Sequence, residues 1–309
     1  YNNSKKDRLL GFGSVKLNFT DWLSLKVRSG LDYFTFQHHE FYNEHTPTKD
    51  GGQMVDLTTT LKETNNDFLL TANRNLNEDF SMSLSAGGNL MHSTSSSKRI
   101  DGTEIIIAGV DGLNNFQNIR VTPSGAEKKI NSVYGFANFS FREFLYLDLT
   151  GRNDWYSTLP SENRSQFYPS ISTSFILSDA VDLNLDAISF LKIRASYAEV
   201  GGDADPYQLR NTYSLTGLSH MGIPLAEISG NQISNPNLRP ERTKSIELGT
   251  DVRLFDGRLG LDFAYYTTTT DDLIFNAPVG ETTGYRSAIV NSGQLKNTGV
   301  ELLITSTPL

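Results

Sequence analysis

The chain of 309 residues carries 27 Lys and Arg against 35 Asp and Glu, a formal charge of −8, and contains no Cys. The acidic balance speaks against a nucleic-acid binder, which needs a basic stripe, and the missing thiols exclude disulfide scaffolds, Cys-bound zinc and thiol catalysis. Aromatic residues, at 11%, are too many for a disordered chain; the longest apolar run, Ile105–Val110, falls far short of the ~20 residues of a membrane-spanning helix.

The dominant period along the chain is two. Gly13, Val15, Leu17 and Phe19 alternate with Ser14, Lys16 and Asn18, and the short link Thr20-Asp21-Trp22 follows. Leu23, Leu25, Val27, Leu31 and Tyr33 then alternate with Ser24, Lys26, Arg28, Gly30 and Asp32. This is a hairpin whose strands each carry one apolar and one polar face. The unit recurs. Phe68, Leu70 and Ala72 lead through a turn at 75–79 to Phe80, Met82, Leu84, Ala86 and Leu90. Residues 131–141 and 145–150 pair about the turn at 142–144, and 171–177 and 191–197 are joined through 178–190. Residues 245–254 and 259–265 flank Asp256-Gly257, the strongest hairpin signal in the chain. Val300, Leu302 and Ile304 open one more strand.

The pattern predicts about eleven strands of roughly 9–12 residues, longer than is usual in soluble sheets. Short turns fall at 20–22, 75–79, 142–144, 178–190 and 255–257, and long polar loops at 37–65, 92–130, 153–169, 199–243 and 271–298. Compact soluble domains seldom hold several structureless loops longer than about 12–15 residues. A transmembrane antiparallel up-and-down β-barrel alternates short turns with long loops by rule. The polar faces also carry Lys26, Arg28, Asp32, Arg152, Lys192, Arg194, Glu247, Asp251 and Arg253, charges that a wet or plugged lumen tolerates and a packed sandwich core does not. Bacterial barrels close with an even number of strands, so eleven strands read as part of a larger barrel, with residues 1–309 inside one barrel domain. The termini agree: Tyr1 is no initiator, no leader follows it, and residues 306–309 run straight out of an alternating strand.

Beyond residue 160 the sequence carries specific runs. Phe167-Tyr168-Pro169-Ser170-Ile171-Ser172 opens a strand, Leu191–Gly202 follows, and Pro206-Tyr207 comes next. The run Asn235-Pro236-Asn237-Leu238-Arg239-Pro240-Glu241-Arg242-Thr243-Lys244-Ser245-Ile246-Glu247-Leu248-Gly249 precedes Phe263-Ala264-Tyr265-Tyr266, Asp272-Leu273-Ile274 and Asn297-Thr298-Gly299-Val300-Glu301. In this order and spacing they resemble the barrel region of the SusC/RagA family of TonB-linked outer-membrane proteins, most clearly over 134–309. The resemblance implies about half of a barrel of about 22 strands, filled by a plug, in the outer membrane of a Gram-negative bacterium of the Bacteroidota. It implies TonB-driven import of glycans, oligosaccharides or peptides. It further implies a SusD-like surface lipoprotein as lid, assembly of such pairs into dimers, and contact with outer-membrane lipid. The plug, the TonB box and the last strands lie outside this sequence. A passive porin-like barrel and a surface-exposed β-rich binding module share the periodicity and are the alternatives.

Candidate chemistry is sparse. Arg152, Asn153, Asp154, Trp155, Tyr156, Arg164 and Tyr168 border the 153–169 loop; with Phe167 they offer aromatic faces for sugar stacking and polar groups for hydroxyls, against the plain reading of an interfacial aromatic girdle. The run His38-His39-Glu40-Phe41-Tyr42-Asn43-Glu44-His45 is dense in ligand-type residues, but it lacks the His spacing of a zinc helix and reads as a solvated loop. Gly201-Gly202-Asp203-Ala204-Asp205 offers alternate carboxylates to calcium, yet the remaining EF-hand positions are missing, and a turn is preferred. No cofactor and no metal are expected. No residue pair is selected as catalytic, and an enzyme is the last of the readings.

Overall fold

The computed structural model describes residues 1–181 and 187–307; the middle of the 178–190 turn and the last two residues lie outside that range. Among the described residues sixteen strands follow one another. They are β1 (Asn2–Asn18), β2 (Leu23–Tyr42), β3 (Gln53–Asn75), β4 (Phe80–Ile105), β5 (Phe116–Phe141), β6 (Leu145–Tyr156), β7 (Ser165–Ile176) and β8 (Ile188–Gly202). Then come β9 (Tyr213–His220), β10 (Ile223–Ile228), β11 (Gln232–Ile233), β12 (Glu241–Leu254), β13 (Leu259–Asp271), β14 (Ile274–Pro278), β15 (Ser287–Asn291) and β16 (Gln294–Ser306). A single turn of α-helix, Leu177–Ala180, follows β7.

Eleven strands form one sheet in the order β1-β2-β3-β4-β5-β6-β7-β8-β12-β13-β16, a meander that leaves β1 and β16 as open edges. The expected count of sheet strands is met, as are the expected short turns at 20–22, 75–79, 142–144 and 255–257. Arg142 and Glu143 both take positive φ, 47° and 59°, and close the β5–β6 hairpin, as a two-residue turn matched to strand twist requires. Arg142 also reaches the carboxylate of Asp79 in the neighbouring turn at 2.9 and 3.1 Å, which holds that carboxyl below its usual range.

Strand length departs from expectation. β2 to β5 run 20, 23, 26 and 26 residues, whereas β6, β7 and β8 run 12, 12 and 15. A tilted strand crosses a bilayer in about 9–11 residues, so the long strands continue well past a membrane's thickness. The predicted loops 37–65 and 92–130 are therefore largely strand, and the connections shrink to 43–52 and 106–115. The connections 203–240 and 272–293 carry strands of their own. β9 and β10 form a two-stranded hairpin, and β11, β15 and β14 form a small sheet in which β11 runs parallel to β15.

Two compact units emerge. One gathers Tyr1–Val15, Val27–Asp67 and Asn89–Ile130; the other gathers Lys16–Lys26, Phe68–Gly88 and Asn131–Leu309. In the first, a small core of Phe41, Met54 and Phe116, with Ile105 and Leu113 against it, sits where the long strands meet their loops. In the second, the fully buried side chains are Leu159 and Leu238, again in connections.

The sheet itself has no core. Apolar residues along it, such as Leu17, Val27, Phe68, Leu84, Ile171, Ile246 and Phe263, are 40 to 51% exposed. The accessible surface is 19713 Å², against roughly 12900 Å² for a compact soluble protein of this mass. An apolar face of that extent needs lipid or protein against it. The polar face is laced by cross-strand pairs: Arg8 with Asp32 at 2.6 Å, Arg28 with Asp67 at 2.9 Å and Arg194 with Asp262 at 2.8 Å.

Candidate functional site

The end of β6 and the start of β7 hold the residues singled out from sequence. Most of the 153–169 stretch is strand, and its true loop is 157–164. In a strand, successive side chains point to opposite faces, and the register sets Arg152 opposite Tyr168, Asn153 opposite Phe167, Asp154 opposite Gln166 and Trp155 opposite Ser165. The pleat thus divides the candidates. Arg152, Asp154, Tyr156 and Tyr168 share one face, and Asn153 and Trp155 lie on the other.

The first group forms a connected cluster. Arg152 donates from Nε to Asp154 at 2.6 Å and from Nη2 to the Ser132 hydroxyl at 2.7 Å. The Tyr156 hydroxyl contacts Asp154 at 3.2 Å and the Tyr168 hydroxyl at 3.3 Å. Asp154, Tyr156 and Tyr168 are all buried. The carboxylate therefore has two donors on it, Arg152 and Tyr156, and both phenols are locked by their neighbours. Tyr168 reaches its place by lying across β8 at Gly201, where a Cβ would come within 1.8 Å of the phenol oxygen. Only glycine leaves that path open.

On the opposite face, Asn153 exchanges hydrogen bonds with Ser165 at 3.1 Å, and Trp155 is 37% exposed. Arg164 is exposed at the end of the loop, and its carbonyl accepts the Tyr156 amide at 3.0 Å. Within the loop, Thr158 donates to Asp203 at 3.2 Å, Leu159 is buried, and Ser161 and the backbone amide of Glu162 bond the Glu162 carboxylate. The amide, first, and then the hydroxyl hold that carboxyl below its usual range.

Sequence reasoning missed the residues that join this cluster to its surroundings. Arg242 is paired with Glu199, which also accepts from the Tyr197 hydroxyl, and Arg242 donates to the Phe167 carbonyl at 3.3 Å. Ser132 reaches in from β5. No local pattern announces these residues as neighbours of the cluster, because they come from three further strands, β5, β8 and β12.

The motif residues build the rim. Leu238 is fully buried. Asn163 donates to its carbonyl at 3.1 Å. Arg239 bonds Asp272 at 2.6 Å, while Asn291 accepts the Arg239 amide and donates to the carbonyls of Arg239 and Asp272 at 2.8 and 2.9 Å. Glu241 accepts the Ile274 amide at 2.7 Å. These contacts fasten 157–164, 203–240 and 272–293 to one another through backbone groups that would otherwise lack partners. Further along, Tyr266 faces Gly299 in register and lies across it. That crossing explains why Phe263-Ala264-Tyr265-Tyr266 is followed by Asn297-Thr298-Gly299.

The ligand-type runs resolve differently. His38, His39 and Glu40 are part of β2 and not of a loop, with His45 just beyond it. Both nitrogens of His39 are occupied by carboxylates, and in the Gly201–Asp205 run the residue between the two acids, Ala204, is buried. Among the described residues no group of three or more His, Cys, Asp or Glu is placed to hold a metal ion.

The family model described as "TonB dependent receptor-like, beta-barrel" matches residues 1–307. TonB-dependent receptor P26 of Formosa agariphila is 26% identical over 96% of this chain and 31% of its own length. TonB-dependent receptor SusC of Bacteroides thetaiotaomicron is 26% identical over 58% of this chain and 18% of its own. The solved structure of the RagAB peptide transporter superposes on all of this chain and 35% of its own with a TM-score of 0.89 at 19% identity, a likeness of fold. The chain spans about a third or less of each of these three proteins.

Proposed function

The chain belongs to the family of TonB-dependent receptor-like β-barrels, integral proteins of the outer membrane, and we propose that it is one half of the barrel of an energised importer of the SusC/RagA type. The observation that carries the proposal is the eleven-strand meander, with one apolar face and strict alternation of short turns with long or elaborated connections. In that reading the short turns face the periplasm and the connections face outward. A SusD-like lipoprotein covers the outward connections, and oligosaccharide or peptide cargo is captured between lid and barrel. TonB-coupled displacement of a plug then opens the lumen.

Arg152, Asp154, Tyr156 and Tyr168, on the polar face with Arg194 and Asp262, line the upper end of the cargo path. Arg152, whose side chain is 43% exposed, supplies donors to cargo hydroxyls or amides, while buried Asp154, Tyr156 and Tyr168 hold it in place. Asn153 and Trp155 mark the outward aromatic border, and Arg164 contacts lid or ligand from the loop.

The test uses the full-length protein in its native host. Removing it, or removing TonB, should abolish uptake of one cargo class, and the protein purified from outer membrane should bring a lipoprotein with it. Arg152→Ala should weaken capture more than Trp155→Ala. Uptake that persists without TonB would sink the energised reading and leave a passive channel.

A further inference from the structure

His39 stands three residues before the end of β2, outside the bilayer-spanning part of the strand. Its Nδ1 lies 2.5 Å from the Asp56 carboxylate on β3, and its Nε2 lies 2.9 Å from the Asp111 carboxylate in the 106–115 connection. A neutral imidazole donates from one nitrogen only, whereas carboxylates accept and do not donate. Both contacts are hydrogen bonds only when the ring carries two protons.

The connection that Asp111 belongs to is a compact loop. Asn115 closes it from inside, donating to the carbonyls of Ile107 and Val110 at 2.7 and 2.8 Å and accepting the Ile107 amide at 2.9 Å. Its outer side chains Ile106, Ile107 and Val110 are 58, 61 and 47% exposed. Leu113 packs the loop against Phe41, Met54 and Phe116, and the loop's polar ties are few. The Gly109 amide donates to Asn43 at 3.1 Å and the Ile105 amide to the Gly51 carbonyl at 2.7 Å. The ionic bond to His39 is the tie whose strength depends on a proton.

We propose that doubly protonated His39 is a pH-dependent latch that fastens the 106–115 loop to the β2–β3 hairpin and releases it when the ring loses its proton. The other charged or titratable groups around it are consistent. Tyr1, on the segment leading into β1, puts its ring 5.4 Å from the imidazole and its hydroxyl on Asp111. Lys5 from β1 and Lys98 from β4 line the same recess of about 380 Å³. On β2 itself, His38 is bonded to Ser4 and Glu40 and not to this cluster. Partial burial works against the charge on His39, but the bonds to Asp56 and Asp111 outweigh it and raise its proton affinity above the ordinary value of 6.5. The sign follows. The latch is complete below that ordinary value, provided the carboxylates stay ionised, and is lost as pH rises through the raised value.

Hydrogen exchange on the full-length protein in detergent tests the latch, with rates corrected for the intrinsic pH dependence. Protection of amides 106–115 should fall roughly fivefold between about pH 6 and about pH 9. His39→Gln and Asp111→Asn should show the low protection at every pH, and His38→Gln should keep the wild-type profile. A flat wild-type profile, or a His39→Gln protein that still follows the wild-type curve, overturns the latch.

Discussion

Two regions of the molecule fasten their loops in contrasting ways. The ends of β2 to β5 do so by prolonging the backbone ladder. The strands run on for 20 to 26 residues, the remaining connections are short, and Phe41, Met54 and Phe116 pack at their base. The connections after β6, β8 and β13 follow strands of 12 to 15 residues and are held by side chains: Asn163 and Asn291 reach for backbone carbonyls, and Arg239 pairs with the Asp272 carboxylate. A ladder spreads its support over many equivalent hydrogen bonds, so along the prolonged strands no single side chain matters much; the 106–115 loop, with its His39 and Asn115 bonds, is the exception. A clamp concentrates support in a few groups, and each of those is exposed to substitution.

Graded substitutions can break this contrast. Leu147→Arg, on the apolar face of the spanning part of β6, sets the scale: about 2–4 kcal/mol for a charge at mid-depth, read as failed assembly in a folding assay. Asp148→Asn, on the polar face, keeps an acceptor for Asn138 and should assemble normally. Gly201→Ala drives Tyr168 from its place beside Tyr156 and should cost roughly 1–3 kcal/mol, measured by thermal unfolding of the folded barrel in detergent. Asn291→Ala leaves two carbonyls and an amide without their shared partner and should cost about 1 kcal/mol; exchange at 235–240 and 272–291 should accelerate while 43–52 stays protected. Ser95→Ala, in the ladder region of β4, should fall within about 0.5 kcal/mol. If Ser95→Ala proved as costly as Asn291→Ala, the distinction between ladder and clamp would collapse.

The same contrast explains what was legible in the sequence. Eleven sheet strands and their turns were readable because an apolar side chain must appear at every second position wherever one face meets lipid. Where neither face does, the period falls silent. Thr58-Thr59-Thr60 on β3 and Ser93-Thr94-Ser95-Ser96-Ser97 on β4 are polar on both faces, and they read as loop although each lies within a continuous strand. The short strands β9, β10, β11, β14 and β15 escaped for the same reason, being too brief to show a period.

The candidate site was half legible. Its residues were found as neighbours in sequence, yet the pleat places Arg152 and Asp154 on one face and Asn153 and Trp155 on the other, and adjacency alone does not reveal that division. Ser132, Glu199 and Arg242 were out of reach because they come from strands distant in sequence. The run Asn235–Glu241 was recognisable as a signature, but its work at the rim depends on Asn163, Asp272 and Asn291, which no spacing rule connects to it.

The crossing of Tyr266 over Gly299 has an evolutionary corollary. Two positions 33 residues apart share one small volume, so neither is free to drift alone. A lineage that acquires a side chain at 299 must shorten or re-seat residue 266 in the same step or lose the fit, and the same holds for Tyr168 with Gly201. Such pairs set which stretches of this wall can be exchanged between relatives. A chimera joined between β13 and β16 splits the Tyr266–Gly299 crossing between two parents, so its junction must fall outside that span, whatever the cargo for which it is built.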